Sequence, residues 1–152
     1  MRPSVPSSAV AGALLRSALT GTGEAREIVT LKLSDGVTQS YLLAIPTGGA
    51  QAIAILFPGG NGKVSLDGIA GRLGLARGNF LVRARRQFVD RGVATAVLDA
   101  PSDQPNGMSD EFRLGRRHAT DVAAVVASLK ARFASVPVFL VGVGGSRGRV
   151  DR

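Results

Sequence analysis

The sequence predicts an α/β domain in which an antiparallel pair of strands feeds a parallel sheet with crossover helices. The C-terminal half of that sheet is expected to be incomplete. Three observations predict this. "REIVTLKLSDG" and "VTQSYLLAIPTGG" are two strand-like segments joined across the turn Ser34-Asp35-Gly36, most simply an antiparallel pair. Three short runs, Ala52–Phe57, Ala94–Leu98 and "PVFLVG", are continuously apolar, like strands covered on both faces. Segments of helical spacing separate the second and third runs from what precedes them. A strand–helix–strand–helix–strand alternation means parallel strands.

Along the chain, residues 1–25 read as a leader. Arg2 precedes an apolar stretch, Ala9 to Leu19, and small residues at Gly23 and Ala25 resemble an export-signal cleavage site. Arg16 inside the stretch, with Pro3 and Pro6 before it, fits a disordered or loosely helical leader instead. The first reading implies a periplasmic or secreted protein, the second a cytoplasmic one. The domain then spans 26–152. In its first strand Ile28, Thr30 and Lys32 alternate with Val29, Leu31 and Leu33. The second strand ends at Pro46 before Gly48-Gly49. Ala52–Phe57 stops abruptly at "PGGNG", and a Gly-rich connection follows, Lys63–Gly78. "NFLVRARRQFVDRGV" has helical spacing, with Phe80, Leu81, Ala84 and Phe88 on one face and Arg83, Arg86 and Asp90 on the other. Gly92 stands where a helix C-cap belongs. Ala94–Leu98 ends at Asp99. A single helix from about Phe112 to Phe133 is expected to turn Leu114, Val122, Val125, Val126 and Leu129 inward, and Pro137 opens the last strand.

Length and composition restrict the chemistry. At 152 residues the chain suits one domain. It has no cysteine, which excludes disulfides, thiolate catalysis and cysteine metal sites, and its one histidine, His118, excludes a histidine metal cluster. The net charge of +8 suggests an acidic partner, but the arginines are scattered. Their densest runs, "RARR" and "GRRH", fall on expected helices, where a polar face is ordinary. With so few aromatics to stack bases, no nucleic-acid partner is expected. No apolar run reaches the 18–20 or so residues of a membrane span.

Two motifs can carry chemistry. Gly144-Gly145-Ser146-Arg147-Gly148 is a G-x-S-x-G following an apolar strand. Such a turn exposes the serine hydroxyl at the strand's carboxyl end, and small neighbours let the tight turn pack. "FPGGNG", Phe57 to Gly62, is a Gly-rich loop after a buried strand. It can offer the backbone N–H groups of Gly60 and Asn61 to an oxyanion, with the N–H of Arg147 completing the set. The same loop fails as a phosphate loop, because Phe57 and Val64 stand where glycine and a hydroxyl residue are required. "GVGGSRG" fails as a dinucleotide turn, since Arg147 occupies the third glycine position. No cofactor and no metal is expected. His118 precedes Ser146, against the Ser-acid-His order of hydrolases with this elbow, and reads as a helix-surface or boundary residue paired with Asp121. Asp99 reads as a turn residue bonded locally to "APSD".

The order of "ILFPGGNG", "GNFLVRARRQFVDRGVATAVLDAPSD", "RHATDVAAVVASL" and "VPVFLVG" with "SRG" resembles the N-terminal part of a bacterial α/β-hydrolase, over roughly Arg26 to Gly148. The resemblance implies serine ester or acyl hydrolysis on a small-molecule ester, with Ser146 as nucleophile and Gly60, Asn61 and Arg147 as the oxyanion hole. Two departures qualify it. In the family pattern the serine comes two residues after the strand-ending glycine, whereas Ser146 comes four after Gly142, and no acid and histidine follow it. A chain truncated just after the elbow, weakly active or inactive, is therefore expected. The alternative is a non-enzymatic binding domain that uses an open sheet edge or the basic surface. The apolar edge "VFLV" would invite self-association.

Overall fold

A computed structural model describes residues 15–21, 24–66 and 79–143. The elements are β1 (Leu15–Gly21), β2 (Glu24–Lys32), β3 (Thr38–Pro46), β4 (Ala52–Phe57), α1 (Phe80–Val89), β5 (Val93–Leu98), α2 (Asp110–Leu114), α3 (Arg116–Arg132) and β6 (Val138–Gly142). The six strands form one sheet in the order β1-β2-β3-β5-β4-β6.

The expected hairpin forms between β2 and β3, from Glu24↔Pro46 to Lys32↔Thr38. Its turn needs two left-handed residues in succession, Asp35 (φ 60°) and Gly36 (φ 73°). Asp and Gly are among the residues that adopt this geometry at least cost. β1 adds an antiparallel strand outside it, Leu15↔Thr30 to Gly21↔Glu24. Part of the 1–25 segment read as a leader is thus a sheet strand. β5 lies antiparallel to β3 (Tyr41↔Leu98) and parallel to β4 (Ala52↔Val93), while β6 runs parallel to β4 on its other side (Ile53↔Val138). The antiparallel strands therefore join the parallel ones through β5, as the mixed α/β reading requires.

The continuous apolar runs are explained by a helix on each face of the sheet. Side chains alternate across a strand, so Ile53 and Ile55 of β4 face α3, where they join Leu43, Ala96, Leu98, Val125 and Leu129. Ala54 and Leu56 face α1, with Leu42, Val97, Leu81 and Val82. Each such aliphatic chain removed from water contributes about 1.5–3 kcal/mol. Helix α1 begins because Asn79 caps it: its Oδ1 accepts from the N–H of Leu81 (3.1 Å) and Val82 (3.5 Å). It closes at Gly92, whose φ of 80° suits a residue without Cβ.

Two expectations are corrected. Phe80, placed on the buried face of α1, is 62 % exposed, and the buried face is Leu81, Val82, Ala84 and Val89. The helix expected over Phe112–Phe133 is broken at Gly115 (φ −81°, ψ 161°) into α2 and α3. The break puts α2 out of line with α3, so Leu114 is 91 % exposed rather than inward. Val125 and Leu129 are buried as expected, and Val122 and Val126 pack against the same cluster.

Candidate functional site

The carboxyl ends of β4 and β6 lie side by side, paired through Phe57↔Gly142. In open α/β sheets this is the edge at which ligands bind. The loop leaving β4, Pro58 to Gly62, turns sharply at Gly60 (φ 65°) and Gly62 (φ 71°). A side chain at position 62 would be strained by the positive φ and would have to push aside the flexible end of Met108, since a Cβ there would lie 2.6 Å from its Cε.

The carbonyls of Pro58 to Asn61 are all engaged. Arg113, from α2, donates through Nη2 to the Pro58 oxygen (2.6 Å) and through Nη1 to the Gly60 oxygen (2.5 Å). Asn79 Nδ2 donates to the Gly59 oxygen (3.3 Å), which also accepts from the Gly62 N–H (3.4 Å). The Asn61 oxygen accepts from the Met108 N–H (2.7 Å). The side chain of Asn61 is occupied within the loops, its Oδ1 accepting from the Lys63 N–H (3.1 Å) and its Nδ2 donating to the Asn106 oxygen (3.2 Å). Among the described residues nothing accepts from the N–H groups of Gly60 and Asn61. Both residues line a recess of about 380 Å³ together with Gly59, Lys63, Asn79, Phe80 and Val143. Phe80 is exposed because it forms part of this wall.

Ser146 and Arg147, the other two expected site residues, lie outside the described residues. Val143, the last residue described, follows β6 directly into the recess.

Asp99 does more than bond locally. Its carboxylate accepts from the N–H of Ala100 (2.8 Å), as the turn reading expects, and also from Val64 (2.7 Å), Ser65 (3.1 Å) and Leu66 (2.7 Å). It therefore pins the connection that follows the Gly-rich loop onto the end of β5. Ser65 is held there at φ 61°, a conformation a non-glycine residue keeps only when its surroundings enforce it.

His118 is not a surface residue. It is buried between the rings of Phe57 (centroids 6.2 Å, edge-on) and Phe112 (5.8 Å). Its Nδ1 has no hydrogen-bond partner among the described residues. Burial pushes its pKa below the usual imidazole range; Asp121 opposes the shift and Arg113 adds to it. The expected partner, Asp121, instead accepts from Arg117 Nε at 3.2 Å, and Arg117 reaches Asp103 at 3.2 Å as well.

Two residues at the site escaped the sequence. Asn79 carries a legible signal, an Asn immediately before a helical run. Arg113 carries none, because its partners are 53 and 55 residues away. A larger cavity, about 810 Å³, runs along α3 over Val29, Leu31 and Tyr41. It shares no residue with the Gly-rich loop, so the smaller recess is the better candidate for the chemistry that loop can carry.

No family model matches this chain, and no curated protein matches it. Among solved structures, it is similar to the polyethylene-glycol-bound complex of a cold-adapted esterase from an Arctic intertidal metagenomic library. The TM-score is 0.56 at 16 % identity, over 83 % of this chain and 53 % of the esterase. The likeness is one of fold alone, and the chain spans about half the length of that protein.

Proposed function

We propose that this chain carries the nucleophile-bearing half of a serine ester hydrolase. The observation that supports this most is the shared recess: the unengaged N–H groups of Gly60 and Asn61 and the chain leaving β6 toward Ser146 meet at one sheet edge. In this reading Ser146 Oγ attacks the carbonyl carbon of a small ester. A C–O bond forms, and the carbonyl electron pair moves onto oxygen, where the N–H groups of Gly60, Asn61 and Arg147 stabilise it. Collapse breaks the ester C–O bond, water carries the Ser146 Oγ–H proton to the departing alkoxide, which leaves as the alcohol, and a second water later cleaves the acyl-serine to the acid and free Ser146. One preorganised donor of this kind is worth roughly a hundredfold to a thousandfold in rate. His118, the one histidine of the sequence, is walled in by Phe57 and Phe112 and is not the base in this reading, so turnover by this chain alone is slow.

The test is hydrolysis of p-nitrophenyl acetate by the wild type and by Ser146→Ala. Slow turnover above background that disappears in the variant is expected. Equal rates in the two proteins would sink the assignment of Ser146. A second reading is a non-enzymatic binding domain. It is favoured by Phe139 and Leu140, 57 % and 59 % exposed on the β6 edge, where a partner strand could pair.

A further inference from the structure

We propose that Arg113 is a positioning residue for the oxyanion donors. Its guanidinium fork locks two of the three consecutive peptide planes between Pro58 and Asn61, and the Asn79 amide bonds to the plane between them. The ester-hydrolase reading gives this clamp its purpose, while the clamp's geometry stands independently of it.

In a trans peptide the C=O of one residue and the N–H of the next lie on opposite edges of one plane, and no described peptide is cis. Fixing a carbonyl therefore fixes the direction of the following N–H. Arg113 holds the Pro58 and Gly60 oxygens, so the N–H groups of Gly59 and Asn61 are turned away from α2. Asn79 holds the Gly59 oxygen, so the Gly60 N–H is turned away from Asn79.

Without these bonds the Pro58 and Gly60 oxygens have no partner among the described residues, and the Gly59 oxygen keeps only the 3.4 Å bond from the Gly62 N–H. Gly59 and Gly60 have no side chains, and glycine rotates freely through both signs of φ. A flipped Gly60–Asn61 peptide would present a carbonyl where a donor is needed, and so repel a developing oxyanion. The fork is itself anchored. The Ser109 Oγ caps α2 by accepting from the Phe112 N–H (3.1 Å), and the Met108 N–H is bonded to Asn61. A planar, two-armed donor suits two carbonyls at once. A lysine in its place keeps the charge but, as a single flexible ammonium, loses that fork. This difference separates positioning from simple electrostatic attraction.

The test is amide NMR on the whole chain, comparing the wild type with Arg113→Lys and Arg113→Leu. Butylphosphonate serves as a tetrahedral anionic probe. In the wild type the Gly59, Gly60 and Asn61 amides should be as ordered as those of β4, and the Gly60 and Asn61 signals should shift saturably with the phosphonate. In Arg113→Lys those three amides should broaden and lose order while the spectrum elsewhere is unchanged. Phosphonate affinity should fall about tenfold or more despite the retained charge. Wild-type order and affinity in Arg113→Lys would overturn the proposal, including the case in which only Arg113→Leu loses affinity, because charge alone would then explain Arg113. Loosened amides in Arg113→Lys with no phosphonate shift in the wild type would uphold the clamp and sink the ester-hydrolase reading. Arg113→Gln, which retains one donor arm, serves in place of the leucine variant if that protein does not fold, and should give an intermediate loss of order.

Discussion

His118 shows how one residue can set a pH response. In the unfolded chain its imidazole titrates near 6.5, and burial between Phe57 and Phe112 lowers that value in the folded state. Below 6.5 the unfolded chain therefore binds protons that the folded chain refuses. The stability that depends on neutral His118 is complete above this pH and is lost as pH falls through the lower, folded-state value. Urea midpoints at pH 7.5 and pH 5 should differ, and His118→Phe, which keeps a ring between the two phenylalanines, should shrink the difference. Asp99 is a second residue with a long reach. Asp99→Ala would strand the N–H groups of Val64 and Leu66, both in buried bonds. At about 1–3 kcal/mol for each unsatisfied donor, a loss of about 3 kcal/mol is expected in urea unfolding, with Asp99→Asn falling between. The sequence placed Asp99 at a strand end but could not show its partners, which lie 33 to 35 residues away.

At the scale of elements, β6 differs from the other parallel strands. Val138 packs toward α3 and Val141 toward α1, while Phe139 and Leu140 are exposed. Natural sheets protect an edge with charge, bulges or proline within the strand. From Val138 to Gly145 this chain has no charged residue, whereas β1, at the opposite edge, includes Arg16. Self-association through β6 is therefore expected, visible as a mass that rises with concentration in sedimentation velocity. Leu140→Lys should weaken it by about 1.5–3 kcal/mol per side chain removed from the contact. A wild type that stays monomeric at all concentrations would count against an adhesive edge. The same scale explains what sequence patterns missed. The break at Gly115 was invisible because apolar spacing continues across it through Leu114, and only the extended backbone at Gly115 separates α2 from α3.

Over the whole molecule, β2 through β6 and both long helices were legible, since period-2 and period-3.6 patterns are local consequences of which face is buried. Strand β1 lies within the segment that reads as a leader, and its alternation of Leu15, Ser17 and Leu19 with Arg16, Ala18 and Thr20 went unread. The placement of β5 between β3 and β4 was not legible, because long-range pairing leaves no periodic trace. The site divides in the same way. Gly60 and Asn61 announce themselves as a glycine-rich strand end, while Arg113 is one arginine among many until the fold brings α2 beneath the loop.

The strand order also has a consequence for synthesis. The β2–β3 hairpin can close as soon as both strands leave the ribosome. β4 cannot pair, because its described partners are β5 and β6, both made later. At roughly 5–20 residues per second, the 40 or so residues from the end of β4 to the end of β5 take about 2–8 s. During that interval Ala52–Phe57 is an apolar strand with neither edge satisfied. A nascent chain stalled before Val93 should accordingly be the form that chaperones hold most firmly, and slow codons after Leu98 should cost the protein less than slow codons before it.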